Sequence, residues 1–430
     1  MPESNHKKRG GFFKSLALTA LAFGSLLCSS CSKTERPVII WTDHTEFASY
    51  AELFNSTHEN EKVVVLYKET PASALPPAKD EIPPDIVIAP WLKNTSTRRL
   101  FTSVDYLFSD DKLHKEDFYP QLIEYGVMNE KQYLLPVSFN LPAIVFSKQH
   151  EDLIEDDHLL TVDNVKTIAA TFNARNQKGT YTAIGYAPSW DSEFMYQVAK
   201  IMGADFQERG QGFDWNSTAI TLTVNYLRQW TLENNTSTTT EQNFQFKYLY
   251  MPKYRRIATD KCLFAFMTSS ELFTLTNEQS MDLAFRWLVT DNRKLMVDDA
   301  IITAGLYKHT KNRKAAEEFL LWISSKETQR KLMERTESMD LDTVTFGIAG
   351  GFSALMDVNA DVYPSHYRVL LGNLPSQENL AFGNILPHRW NMIKEKAILP
   401  YLLDASNTEN EVESVKPLEE RMAESNRLSY

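Results

Sequence analysis

Cysteine is nearly absent: Cys28, Cys31 and Cys262 are the only three in 430 residues. The first two lie three apart, but a zinc or redox pair needs a second pair or a folded context, and only Cys262 is left to supply it. Cys262 sits in the apolar run CLFAFM and reads as a small buried hydrophobe. Positive charge is in deficit, 45 Lys and Arg against 56 Asp and Glu, for a net charge of −11. That balance argues against nucleic acid, whose binding rests on many basic contacts to phosphate. Past residue 27 there is no apolar run long enough to span a bilayer. Glycine is also scarce, at 15 residues. The nine histidines are scattered, which gives no metal cluster. HExxH, GxSxG and phosphate-cradling glycine loops are missing, so no enzyme class and no cofactor is indicated. A glycosidase carboxylate pair is defined in space, so 56 acidic residues leave that question open.

What the chain does have begins at its start. His6, Lys7, Lys8, Arg9 and Lys14 form a basic head, Ser15–Leu27 an uncharged apolar stretch, and small residues lead to Cys31. Basic, then apolar, then small is the order of a secretory signal. The stretch LLCSSCSK resembles the lipobox of bacterial lipoproteins, in a relaxed form with Leu27 four places before Cys31. The resemblance implies cleavage after residue 30, lipidation of Cys31, and a tether over residues 31–36. Residues 1–30 hold four basic side chains against Glu3, so their removal leaves the remainder at −14. Cys262 would then be the sole thiol, and no intramolecular disulfide forms.

About 400 mature residues exceed what one hydrophobic core organises, so two lobes are expected. The patterning is α/β. Val38–Trp41, Val63–Tyr67 and Asp85–Ala89 predict buried strands, and Phe47, Tyr50, Ala51 and Phe54 mark one face of a helix between the first two. Later, Tyr181–Ala187, Leu263–Met267 and Ala300–Ala304 predict strands. Phe194, Val198 and Ile201 mark a helix that ends near Gly203, and Ala316, Phe319, Leu320 and Ile323 a strong helix after residue 312. Two segments predict loops: Pro71–Pro84, with five prolines, and Glu233–Glu241, rich in Asn and Thr. β-α-β order implies mostly parallel sheets flanked by helices.

VIIWTDHTEFASYAELFNSTHENEKVVVLY, PPDIVIAP, LFTSVDYLF, FYPQLIEYGVMNEKQYLLPVSFNLPAIVFSK and AIITAGLYKHTKNRKAAEEFLLWISSKETQRKL follow one another in the order and spacing of a known family. Together they resemble the family 1 extracellular solute-binding proteins of ABC importers, which take mostly sugars. Phe146-Ser147-Lys148 departs from the Tyr-Asn-Lys-like triplet of that family. The resemblance implies a two-lobed periplasmic-binding-protein fold with a ligand cleft between the lobes. Residues 37–145 plus 298–345 would form lobe 1, and 146–297 plus 346–430 lobe 2. Crossings are expected near Asn140–Phe146, Val297–Ile302 and Met339–Ile348. It further implies a monomer, lipid-anchored to the membrane and facing the periplasm or exterior. Such a protein would hand a carbohydrate-like solute to ABC permease subunits by closing on it. The competing expectation is an envelope lipoprotein of the same fold with a structural or host-interaction role and no transported ligand, which the low glycine content favours.

Ligands of open α/β sheets bind outside the carboxyl ends of the strands. Asp43, His44 and Glu46 follow the first strand, and Trp91 the third. Asn140 lies at the first crossing, Trp190 and Asp191 follow Tyr181–Ala187, and Ser269 follows Leu263–Met267. Aromatic faces suit the CH side of a sugar, and carboxylates, amides and hydroxyls suit its OH groups. Each also has a structural reading. Asp43 and Glu46 have the spacing of a reciprocal helix cap. Ser269 and Ser270 precede a helix that they would cap, and Trp41 reads as core. Trp190 leads the platform candidates because Asp191 could bind what its ring stacks on. His44 is alone, which suits hydrogen bonding better than metal ligation.

Overall fold

The computed structural model describes residues 36–427 except 110–111, 211 and 339–344. Cys31 and the segment before it lie outside the described residues. Two β-sheets organise the chain. In chain order the strands are β1 (Val38–Thr42), β2 (Val63–Tyr67), β3 (Ile86–Ala89), β4 (Leu134–Phe139), β5 (Pro142–Ser147), β6 (Leu159–Thr161), β7 (Phe264–Thr268), β8 (Leu283–Val289), β9 (Ile302–Leu306) and β10 (Phe352–Ser353). The first sheet has the order β10-β4-β9-β3-β1-β2, and the second β7-β5-β8-β6.

Position in the sheet explains the burial of each strand. β1 is central, flanked by β2 and β3, and all five of its residues are buried. β2 is at the edge, and its residues range from buried Val63 to exposed Val64 and Tyr67. On one face, the helix Phe47–Thr57 buries Phe47, Tyr50, Ala51 and Phe54. The helix Arg313–Ile323 buries Ala316, Phe319, Leu320 and Ile323. Phe54 meets Phe319 edge-on at 5.3 Å between ring centres. These are the 3–4 spacings that the sequence carries.

The sheets are mixed rather than mostly parallel. β1 runs parallel to β2 and β3, but β9 is antiparallel to both β3 and β4. The reason is the crossing between lobes. β4 leaves the first sheet at its carboxyl end, passes Asn140 and Leu141, and enters the second sheet as β5. β9 returns beside β4 across Val297–Ile301. One strand going out and its neighbour coming back must be antiparallel. The two crossings are tied by the Asp298 amide, which donates to the Asn140 carbonyl at 2.9 Å.

Three segments differ from expectation. Phe352–Ser353 pairs with β4 at the edge of the first sheet, although residues from 346 on were expected in the second lobe. The crossing expected near Met339–Ile348 lies mostly outside the described residues, and past Ser353 the chain already packs on the second lobe: the Tyr367 ring lies 5.8 Å from that of Phe273, and the Trp287 indole donates to the Asn373 carbonyl at 2.8 Å. From Leu386 it packs Trp390, Ile393, Leu402, Leu418 and Met422 into the core of the second lobe. Tyr181–Ala183 forms a two-stranded ribbon with Ala174–Arg175 instead of joining the second sheet. The Asn/Thr-rich stretch becomes a helix, Thr238–Lys247, because Ser237 caps it by accepting from the Thr240 amide while Thr238, Glu241 and Phe244 turn inward. Residues that look like chain breakers here supply the cap.

Candidate functional site

A cavity of about 620 Å³ opens where the two sheets meet. It lies at the carboxyl ends of five strands. After β1 come Asp43 and His44, after β2 Glu69 and Thr70, after β3 Pro90 and Trp91, after β4 Asn140, and after β7 Ser270. Ala300, Ile302, Ala349 and Gly350 line its floor, and His388, Arg389, Asn391 and Met392 form the opposite wall. The cavity is therefore bounded by both lobes and by the strands that join them. A second hollow of about 440 Å³, beside Phe273, Phe285 and Tyr367, has a different character. Its walls are rich in aromatic and aliphatic groups, and its His366 is engaged by Glu337 at 2.6 Å.

Of the residues that the sequence singles out, four line the cavity: Asp43, His44, Trp91 and Asn140. Asp43 does not cap a helix. Its Oδ1 lies 2.8 Å from His44 Nδ1, and the helix that follows, Phe47–Thr57, has Glu46 at its N-cap position with no side-chain cap. Burial lowers the proton affinity of His44. The hydrogen bond to Asp43 and the charges of Glu46 and Asp43 outweigh it, so His44 titrates above its ordinary value. Trp91 has a left-handed backbone, φ 57°, rare for so large a residue and found where chain direction is fixed by its surroundings. The Asn94 amide holds it by donating to the Trp91 carbonyl at 2.6 Å. From the first lobe, its ring packs against the hydrophobic core of the second.

Asn140 works as a tie at the crossing. Its Nδ2 donates to the Gly350 carbonyl at 2.9 Å, and its Oδ1 accepts from Ser269 Oγ at 2.6 Å. Gly350, at φ 68°, adopts the conformation that glycine allows without strain. Ser269 is fully buried and also accepts from the Leu141 amide, so it braces Asn140 while its neighbour Ser270 faces the cavity. The helix cap expected of Ser269 and Ser270 is Thr268, in a reciprocal arrangement with Glu271.

Glu46, Trp190 and Asp191 do not line the cavity. The Trp190 indole donates to the Glu241 carbonyl at 2.9 Å and stacks on Phe244, with ring centres 5.7 Å apart. Asp191 caps the helix Ser192–Ile201 and pairs with Lys253 at 2.8 Å. Both are occupied in holding the second lobe. The proline beside Trp190 resembles the setting of Trp91, but Pro188 starts a one-turn helix that aims the ring inward.

Nothing in the local sequence points to His388 and Arg389, in a stretch of weak periodicity. Both lie just before Trp390, which anchors them: its indole donates to Asp299 at 3.0 Å, and Asp299 is also held by Lys200 at 2.6 Å and by Tyr196. Three polar atoms in the cavity lining, Trp91 Nε1, His388 Nδ1 and Arg389 Nε, are buried with no hydrogen-bond partner among the described residues. Burial in apolar surroundings and the neighbouring Arg389 charge lower the pKa of His388, against the opposing charge of Glu208. Other buried side-chain atoms among the described residues are also unpaired, but they are scattered; what sets these three apart is that they converge on one cavity, where a ligand would supply their partners.

The family model for bacterial extracellular solute-binding proteins matches residues 41–330. This chain belongs to that family. No curated protein is similar enough to count as a relative. Among solved structures, the GacH receptor of Streptomyces glaucescens GLA.O superposes with a TM-score of 0.60 at 13% identity, over 91% of this chain and 97% of that one. The Listeria monocytogenes substrate-binding protein solved with cycloalternan gives 0.60 at 12%, over 91% and 98%. The galacto-N-biose-/lacto-N-biose I-binding protein of a Bifidobacterium longum ABC transporter gives 0.56 at 15%, over 92% and 96%. These likenesses carry the two-lobed fold across nearly the whole of each chain. The family is one of binding proteins, not enzymes, and in this solute-binding protein the cavity sits between the lobes. No helix among the described residues is long and apolar enough to cross a membrane.

Proposed function

We propose that this solute-binding protein captures a carbohydrate between its lobes and delivers it to an ABC permease, anchored to the outer face of a membrane by a lipid on Cys31. The observation that carries the reading is the cavity itself. It combines an indole from the first lobe, hydroxyls and amides at strand ends, and buried donors left unpaired on both walls. A sugar offers a flat CH face and a ring of oxygen acceptors, which match those two needs. The solved structures that share the fold support this choice, since their ligands include acarbose, cycloalternan and lacto-N-biose. The order of basic, apolar and small residues before Cys31 supports the anchor. Closure of the lobes follows if ligand contacts on both walls favour the closed state.

A thermal-shift and calorimetric screen of the mature protein against mono- and oligosaccharides tests the binding. A ligand at 100 times its Kd should stabilise the native state by about 2.7 kcal/mol. Absence of any shift across the panel, with no sugar co-purifying, sinks the proposal. The anchor is tested separately: wild-type protein should partition into detergent and Cys31→Ser should not.

A further inference from the structure

The walls of the cavity differ in their charge. On the first lobe, Asp43 is matched by His44 beside it. Glu69 is exposed at the rim; the nearby carboxylate of Glu208, from the second lobe, is already taken up by the amide and hydroxyl of Thr95, both at 2.8 Å. On the second lobe, Arg389 forms no ion pair among the described residues, and its Nε is buried and unpartnered. Half-buried Arg228 and Arg421 are engaged, by three carbonyls and by Asp404, and buried Arg286 by Glu151 and two carbonyls; Arg256 also has an unpaired Nε, but its guanidinium lies over the Trp190 ring, away from the cavity. Arg389 instead lines the space between the lobes with no carboxylate paired to it among the described residues. Trp91 Nε1 and His388 Nδ1 add two unpaired positions around the same space.

Resting on the carbohydrate reading above, we infer that the sugar bound here carries an anionic group, a carboxylate or a phosphate ester, seated on Arg389 with His388 and Trp91 beside it. A neutral hydroxyl would satisfy a donor but would leave the guanidinium charge uncompensated in a site from which closure removes water. The planar fork of guanidinium matches two oxygens of a carboxylate or phosphate at once, which a lone hydroxyl cannot offer. The same residues explain why the donors are left open: internal pairing would have to be broken each time the ligand entered.

Calorimetry on the mature protein with glucose, galactose and mannose, their uronic acids and their 6-phosphates distinguishes the cases. At least one acid or phosphate should bind ten times more tightly than its neutral parent or more, and the series that responds tells carboxylate from phosphate. The gain should vanish in Arg389→Gln and be partly kept in Arg389→Lys, which retains charge but not the fork. Arg330→Gln, on an exposed helix, should leave it intact. Unchanged melting of the Arg389 variants would show that folding is not the cause. Neutral sugars binding as well as their charged partners, or a gain that survives Arg389→Gln, would overturn this inference and leave the carbohydrate reading standing. Failure of every sugar, charged and neutral alike, would overturn both.

Discussion

Two tryptophans show how far a single residue can be judged from its neighbours in the chain. Trp91 and Trp190 both follow an apolar stretch and a proline, yet one faces the cavity and the other is tied to Glu241 and Phe244. Trp190→Ala should cost roughly 3 kcal/mol of stability, the lower end for truncating a buried aromatic, because its ring is partly exposed. It should leave sugar affinity within twofold. Trp91→Ala should shift the balance: on the order of tenfold weaker binding, about 1.4 kcal/mol, with a smaller loss of stability than Trp190→Ala, since its ring packs on the second lobe. Its left-handed backbone is equally unfavourable for Ala and Trp, so the comparison isolates the ring. Urea denaturation and calorimetry on the two variants check both halves. If Trp190→Ala abolished binding with stability intact, the assignment of the cavity would be wrong. What local sequence could offer was the carboxyl-end rule, and it led to Asp43, His44 and Trp91, while Asn140 came from the lobe crossing that the family resemblance implies. It could not separate these from Ser269 and Asp191, because whether a polar side chain faces a ligand or braces a neighbour is decided by partners more than 60 residues away.

At the level of elements, Asp299 joins the second crossing to two others. It holds Lys200 and Tyr196 of the helix Ser192–Ile201 and the Trp390 indole, next to the cavity residues His388 and Arg389. Burial pushes its pKa up, but the Lys200 charge and the hydrogen bonds from Lys200 and Tyr196 more than offset that and hold it below the ordinary aspartate value of 3.8. A lowered carboxylate stabilises the fold in full above that value and ceases to do so as the pH falls beneath it. Asp299→Asn leaves Lys200, whose side chain is 7% exposed, without its counter-charge. It should cost about 3–5 kcal/mol at pH 7 and weaken sugar binding, since the His388–Arg389 segment loses its anchor. Denaturation at pH 7 and again near pH 3 should show the gap between wild type and variant closing in acid. A constant gap would mean that the charge is not what Asp299 contributes. Elements with a clean period, such as Phe47–Thr57 and Arg313–Ile323, are legible in the sequence because one face buries large apolar groups. The Trp390–Ser406 stretch is harder to read: a five-residue wide turn, Lys394–Ile398, interrupts the period between two short helices.

For the whole molecule, the open question is what balances the two lobes before a ligand arrives. Apart from the crossing strands, Glu208 of the second lobe accepts from the Thr95 amide and hydroxyl of the first, both at 2.8 Å, close enough to the cavity for its charge to act on His388. A carboxylate taking two donors is among the stronger hydrogen-bonded contacts, but this one is only partly buried, so its net worth should be about 1 kcal/mol. That amount is roughly a fivefold change in the ratio of closed to open molecules, enough to set the resting population without locking it. Glu208→Ala should therefore enlarge the scattering radius of the sugar-free protein and speed ligand release, while each lobe melts as before. With saturating sugar the radius should return to the wild-type value, because contacts made by the ligand to both walls replace the lost clasp. An unchanged radius in the sugar-free variant would show that the crossing strands alone set the angle between the lobes. The Asp298–Asn140 bond and the Ser269 brace would then be the contacts to weaken next.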